Sequence, residues 1–359
     1  MRSLNDTIAR LAAMRFPIAM PPLEAGEDRL SDLHDFGPNP GALRARFYVP
    51  ERLPSHAALV VVLHGCTQNA ARYDHGSGWS RLADELGFAL LFPEQRRANN
   101  PNLCFNWFSA EDTRRGGGEA ASIRQMVAAM VEAHQIDPAR IFVNGLSAGG
   151  AMTSVMLATY PEVFAGGAII AGLPYGTAGS VPEAFDRMRA HGGPGAAALG
   201  GLVAAASDHR GEWPTISVWH GGNDATVSPA NAALIVEQWR GLHGAADAPR
   251  TEQIAGHTRR TWRNARGREV IEEYRIAALG HGTPLSTAGD EACGVASPYM
   301  LEAGISSTRR IARFWGLDGS GKASSRSRAT DPGAPLPQRA ASGVARVIED
   351  ALRAAGLMR

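Results

Sequence analysis

Short unbroken apolar runs punctuate the middle of the chain. Leu59-Val60-Val61-Val62-Leu63 is the plainest, and Phe88–Phe92, Ile141–Val143, Ala168–Ala171 and Ile216–Trp219 follow it. Runs of this length fit strands buried on both faces of a parallel sheet. Leu43–Val49 alternates apolar and polar positions instead, and predicts an edge strand. Glu269–Ala278 predicts the last strand.

Between these runs the period becomes that of a helix. Ile123, Met126, Val127, Met130 and Val131 fall on one face of the segment Glu119–His134. Ser228-Pro229 is an N-cap and N1 pair that opens a helix through about Leu242. Ile305–Trp315 predicts a last core helix. Strand and helix alternate, so the expected class is α/β: a mostly parallel central sheet with helices on both faces.

Other segments break the rhythm. Leu173–Trp213 is rich in Gly and Ala and long for a crossover, and reads as an inserted helical cap or lid. Residues 1–40 read as an N-terminal arm, with a short amphipathic helix over Leu4–Met14. The main α/β domain is expected over 41–317, a flexible Ser/Arg/Pro/Gly-rich linker over 318–343, and a C-terminal helix over 344–359. No internal repeat is visible.

Composition narrows the function. The 359 residues are 44% hydrophobic and 20% charged, with a net charge of +1 and both signs interspersed. No basic stripe points to nucleic acid as a partner. No apolar run reaches the ~18 residues of a membrane span. Asn5, Asp6, Arg10 and Arg15 interrupt any apolar leader, so the residues favour a cytoplasmic protein, with secretion as the alternative. Cys66, Cys104 and Cys293 match no zinc spacing, and no metal or cofactor is expected.

The chemistry concentrates in Gly145-Leu146-Ser147-Ala148-Gly149, between the run from Ile141 and the helical run Ala151–Thr159. Strand, sharp turn and helix are the context a nucleophile elbow needs, and this makes Ser147 the candidate nucleophile of an α/β-hydrolase. Serine needs a base, and in such folds the chain order is Ser, acid, His. Asp224 closes the glycine-rich loop after Val218-Trp219, at the carboxyl edge of the sheet, and is the expected acid; Asp208 is the weaker alternative, because no clear strand leads into it. Of His243, His257 and His281, only His281 directly follows the last strand, in Leu279-Gly280-His281-Gly282, and it is the expected base. His34, His56, His134 and His191 read as surface or core residues.

Acyl transfer also needs donors for an oxyanion. The backbone N–H of Ala148 and that of Cys66, in the loop Leu63-His64-Gly65-Cys66-Thr67-Gln68, are the candidates, with His64 structural. Asn106-Trp107-Phe108, after Phe105, is an aromatic cluster in a polar loop, and reads equally as a substrate platform or as a satellite of the core. Trp107, Tyr73 and Trp219 are the substrate-contact candidates. Trp79 could also line the cleft, and Trp219 reads more as core.

Several of these blocks together resemble the poly(3-hydroxybutyrate) depolymerase family of esterases, which includes feruloyl and acetyl-carbohydrate esterases. They are Leu63–Gln68, Cys104-Phe105-Asn106-Trp107-Phe108, Arg115-Gly116-Gly117-Gly118-Glu119, Gly145–Met152, His220–Val227 and Gly280-His281-Gly282, within a span from about Arg44 to Leu317. The resemblance implies polyester or oligoester hydrolysis through an acyl-enzyme, with feruloyl or acetyl-carbohydrate esters as the alternative and peptide or amide hydrolysis as the second. It also suggests that Cys66 pairs with Cys104, whereas a reducing cytosol would keep both as thiols. Phe105 stands where the family often has Trp. Many depolymerases carry a secretion signal and a separate polymer-binding domain, and neither is visible here, so soluble oligomers or small esters are expected in place of crystalline polymer.

Overall fold

The apolar runs become neighbouring strands of one sheet. The computed structural model describes residues 28–319, so the expected Leu4–Met14 helix, nearly all of the linker and the C-terminal helix lie outside the described residues. In chain order the strands of the sheet are β1 (Ser31–Asp32), β2 (Arg44–Tyr48), β3 (Leu59–Leu63), β4 (Ala89–Glu94), β5 (Ile141–Leu146), β6 (Gly166–Ile170), β7 (Thr215–Gly221), β8 (Arg250–Ile254), β9 (His257–Arg263) and β10 (Glu269–Ile276). Their spatial order is β1-β2-β4-β3-β5-β6-β7-β10-β9-β8. From β4 across to β10 every adjacent pair is parallel, and antiparallel pairs extend both sides.

The period of two along each strand separates two cores. Leu59, Val61 and Leu63 of β3 pack on one side, with Ile123, Met126 and Met130 of α4 (Gly118–His134) and with Ile235 and Trp239 of α8 (Ala230–His243). In chain order the helices before α4 are α1 (Ala70–Ser77), α2 (Trp79–Leu86) and α3 (Ala110–Thr113). Val60 and Val62 point to the other side, against Tyr73 of α1, Trp79 and Leu82 of α2, and Ile311 of α9 (Ser307–Phe314). Helices therefore cover both faces, which is why the central strands carry no polar alternation.

Differences from the sequence expectations have physical causes. The strand at Leu43–Val49 is not outermost, because two residues of β1 pair outside it. The hairpin β8–β9 was not expected, since its residues are charged and held partly by ion pairs: Arg259 reaches Glu252 at 2.6 Å and Glu272 at 2.9 Å. Tyr73 and Trp219 are fully buried in the core and do not line a cleft. Tyr73 lies under the sheet with its hydroxyl 3.3 Å from Thr283 Oγ1. Trp219 stacks on Tyr274 with ring centroids 3.8 Å apart, and its Nε1 donates to Ser217 Oγ. Trp79 is likewise core, between Phe88 and Trp315.

The segment Leu173–Trp213 forms α6 (Val181–Met188) and α7 (Ala196–Ala205). Leu199 and Val203 of α7 are buried, and Gln238 of α8 bonds Tyr175 N, Tyr175 O and Leu199 O. This half of the insert is thus part of the helical layer. The other half, α6, packs through Ala184 on Trp107, Ala148 and Val227 at the carboxyl end of the sheet. The short strands β11 (Thr283–Leu285) and β12 (Met300–Glu302) pair separately.

Candidate active site

Ser147 sits between the end of β5 and the start of α5 (Ala148–Thr159), at φ 57° and ψ −117°. A non-glycine residue holds such a conformation only when its surroundings impose it. Here Ser147 N donates to Ile170 O at 2.9 Å, and Ala151 N donates to Ser147 O at 2.8 Å. The flanking glycines allow the sharp turn. A Cβ on Gly149 would lie 2.3 Å from Leu63 O, and one on Gly145 would lie 2.4 Å from Gly149 C.

The structure brings three distant side chains into line. His281 Nε2 lies 2.9 Å from Ser147 Oγ. His281 Nδ1 lies 2.8 Å from Asp224 Oδ2. Asp224 Oδ1 accepts from the backbone N–H groups of Thr226 and Val227, each at 2.9 Å. The loops carrying Asp224 and His281 are laced together: Gly222 N donates to Ile276 O and Asn223 N to Leu279 O. A Cβ at Gly221 would meet Leu279 O at 2.3 Å, so that approach requires glycine.

Electrostatics fixes the direction of the proton relay. Burial alone would raise the Asp224 pKa, but hydrogen bonds from His220, His281 and Val227 N, with the charge of His281, hold it well below the usual carboxylate range. An ionised Asp224 accepts from Nδ1–H, which leaves Nε2 to accept the Ser147 hydroxyl proton. Such an arrangement can deprotonate a serine as it attacks an acyl carbon.

Two loops frame this line. Ala148 begins α5, so its N–H has no intrahelical partner and stands beside the nucleophile. Cys66 follows the end of β3 in a loop pinned at several points. Gly65 N donates to Gln68 Oε1, Thr67 N donates to Asn102 O, and Cys66 is joined to Cys104 by a disulfide. His64 lies beneath the loop, with Nδ1 2.8 Å from Gly65 O and Nε2 accepting from Gln95 N. Burial pushes its pKa down, which suits the neutral ring these bonds need.

Glu119, the last residue of the Arg115–Glu119 block, supports the site from below. Its Oε1 accepts from Gln95 Nε2 and Asn106 Nδ2, and its Oε2 accepts from Asn106 N. Gln95 Nε2 also donates to Cys104 O. One buried carboxyl thus anchors the aromatic loop and, through Gln95, the floor of the Cys66 loop. The signal was present in the pattern: Glu119 falls four residues before Ile123, on the buried stripe of its helix.

Of the aromatic candidates, Trp107 alone faces this end of the sheet. It packs with Ala148, Ala151, Leu173, Ala184 and Val227, and Phe108 meets it edge-on. Ala184 belongs to α6, whose end is tied to the Asp224 loop by Ser228 N donating to Met188 O at 2.7 Å. The other candidates lie elsewhere: Asp208 is exposed, His243 ends α8, and His257 bonds Ala303 O. Among the described residues no cluster of His, Cys, Asp and Glu could hold a metal ion.

Comparison with known proteins agrees with this geometry. Residues 44–263 match the family model described as esterase PHB depolymerase. The chain is 45% identical over 293 residues to poly(3-hydroxyalkanoate) depolymerase C of Paucimonas lemoignei, covering 81% of this chain and 70% of that protein. It is 33% identical over 275 residues to acetylxylan esterase A of Aspergillus oryzae, covering 73% of this chain and 86% of the relative. The solved acetyl xylan esterase from Aspergillus awamori superposes with a TM-score of 0.67 at 23% identity, over 80% of this chain and 99% of that one. That last likeness speaks for the fold, and the first two for descent. The chain therefore belongs to the esterase PHB depolymerase family, as a carboxylic-ester hydrolase of α/β-hydrolase fold.

Proposed function

We propose that Ser147 is the nucleophile, His281 the general base and acid, and Asp224 the residue that orients His281. The unbroken line from Ser147 Oγ through His281 to Asp224 Oδ2, at 2.9 and 2.8 Å, carries this reading. Ser147 attacks the ester carbonyl, and His281 takes its proton and passes it to the leaving alkoxide. The N–H groups of Ala148 and Cys66 receive the oxyanion. Water activated by the same imidazole then releases the acid.

The substrate class we infer is an oligomeric 3-hydroxyalkanoate ester. Its support is the 45% identity to a relative named for poly(3-hydroxyalkanoate), with an apolar cluster of Trp107, Leu173, Ala184 and Val227 packed around Ala148, the residue after Ser147. Acetylated carbohydrate is the second reading, favoured by the 33% identical acetylxylan esterases. For the compartment, the Cys66–Cys104 bridge supports an oxidising one over the cytosol expected from the residues alone. Among the described residues no helix is long and apolar enough to cross a membrane.

A panel of 3-hydroxybutyrate trimer, acetylated xylan and methyl ferulate tests the substrate. The trimer is expected to show the highest kcat/KM, and preference for acetylxylan would overturn the choice. Ser147→Ala should lose turnover by on the order of a million-fold. Retained turnover, or fluorophosphonate labelling of another serine, would end the assignment of the nucleophile.

A further inference from the structure

Two imidazoles grip Asp224, and only one of them reaches Ser147. The second is His220 on β7, which is 3% exposed. Its Nε2 lies 2.9 Å from Val227 O and 3.3 Å from Asp224 Oδ2. A carbonyl oxygen only accepts, so Nε2 carries the ring proton and shares it between Val227 O and the carboxylate. The other ring nitrogen, Nδ1, is buried without a partner among the described residues. A cavity of about 240 Å³ lies beside the ring, lined also by Gly222, Pro229, Ala230, Ala232 and Arg275.

An ionised carboxylate offers about four acceptor sites. At Asp224, Thr226 N and Val227 N fill two on Oδ1, His281 Nδ1 fills one on Oδ2, and His220 fills the last. A buried polar ring with one nitrogen unsatisfied costs stability. Its one productive contact is with the acid loop. We propose that His220 is a positioning residue for ester hydrolysis: its Nε2–H locks the Asp224 carboxylate in the plane that meets His281 and limits its basicity. The inference rests on the proposed roles of Ser147, His281 and Asp224.

The consequence is a shift in the working pH range. Without the His220 donor, Asp224 is more basic and holds the His281 imidazolium more tightly. The charged and titratable groups around this pair are His220 on β7, Tyr299 with its ring 6.3 Å from that of His281, and Arg275 on β10. Arg275 is paired with Glu273 at 2.9 Å.

His220→Leu keeps bulk and removes the donor, whereas His220→Gln keeps a donor at the position of Nε2. Steady-state kinetics on p-nitrophenyl butyrate across pH reads both. His220→Leu should lose kcat about 10-fold with KM within about 2-fold. Its acid limb of kcat/KM should move upward by roughly half a pH unit. His220→Gln should stay within about 3-fold of the parent, with the parent limb. An unchanged kcat and limb in His220→Leu overturns the inference, and so does a glutamine variant as impaired as the leucine one. Should the leucine variant fail to fold, the low-field proton resonance of His281 Nδ1 decides: kept in His220→Gln it supports the inference, and lost it overturns it. Asp224→Asn and Ser147→Ala run alongside. If they retain turnover, the triad reading itself fails. If they abolish it and His220→Leu does not slow, only the role of His220 fails.

Discussion

Ser147 holds a backbone conformation that serine avoids, and the glycines around it make that conformation affordable in space. A methyl group at Gly149 would press on Leu63 O and His64 O at 2.3 and 2.5 Å, two backbone oxygens that cannot swing away. Gly149→Ala is therefore expected to destabilise the fold by about 1–3 kcal/mol. Because the displaced turn carries Ser147 and Ala148 N, kcat should fall as well. Urea unfolding and ester kinetics check the two effects, and a stable, fully active alanine variant would contradict the close approach. Asp224 offers a sharper case. Asn at 224 keeps the size but can present an amide N–H to His281, which turns the imidazole to the wrong tautomer. In serine proteases that exchange drops kcat about 10⁴-fold. A loss of similar order is expected for Asp224→Asn, with KM little changed.

At the scale of elements, the loop after β3 and the aromatic loop behave as one unit because they are bonded to each other at Cys66–Cys104 and at Thr67–Asn102. The bridge closes 38 residues, for which loop entropy gives a stabilisation of roughly 4 kcal/mol. Replacing both cysteines by Ser should lower the unfolding midpoint accordingly. It should also reduce kcat more than it raises KM, since Cys66 N is the proposed oxyanion donor. Equal effects on both constants would detach the bridge from transition-state binding. These elements also show where the sequence was legible. β3, β4, β5, β6 and β7 were visible as apolar runs because helices cover both faces. The hairpin β8–β9 was not, because Arg259, Arg260, Glu272 and Glu273 satisfy one another by charge and erase the alternation. Ser147, Asp224 and His281, which the structure brings together, could be located by chain order because each follows a strand in a glycine-bearing turn or loop. Tyr73 could not be placed, because composition does not tell which face an aromatic takes, whereas Trp219 already read more as core. Trp219 is one residue out of phase with His220 and so points away from the site. The pairing of Cys66 with Cys104 rested on resemblance alone, since spacing carries no distance.

For the whole molecule, buried titratable groups set how stability responds to pH, and their signs differ. Burial pushes Glu119 up to about 8, although Asn106 and Gln95 donate to it. The folded chain thus keeps a proton that the unfolded chain releases near 4.5, and Glu119 lowers stability as pH rises between these values. Burial lifts Asp74 to about 6, with the same sign below that pH. His243 is pushed down by burial to about 4 from 6.5, so unfolding takes up a proton there, and stability rises with pH across that window. Asp224 also raises stability with pH, but only in the acid range, because its carboxyl is held low. The histidine contribution fades as the unfolded imidazoles lose their protons above 6.5, while Glu119 keeps its proton up to about 8. The Glu119 contribution to the parent protein's stability should therefore fall by up to about 1.4 kcal/mol per pH unit on the way to about pH 8. Glu119→Gln should lose that slope while carrying a constant penalty, because an amide must turn one N–H toward Asn106 N. Urea unfolding of the two proteins at a series of pH values checks this, with the difference between them shrinking as pH rises. Parallel curves would mean that Glu119 is ionised throughout, held by its three donors against the burial that raises it.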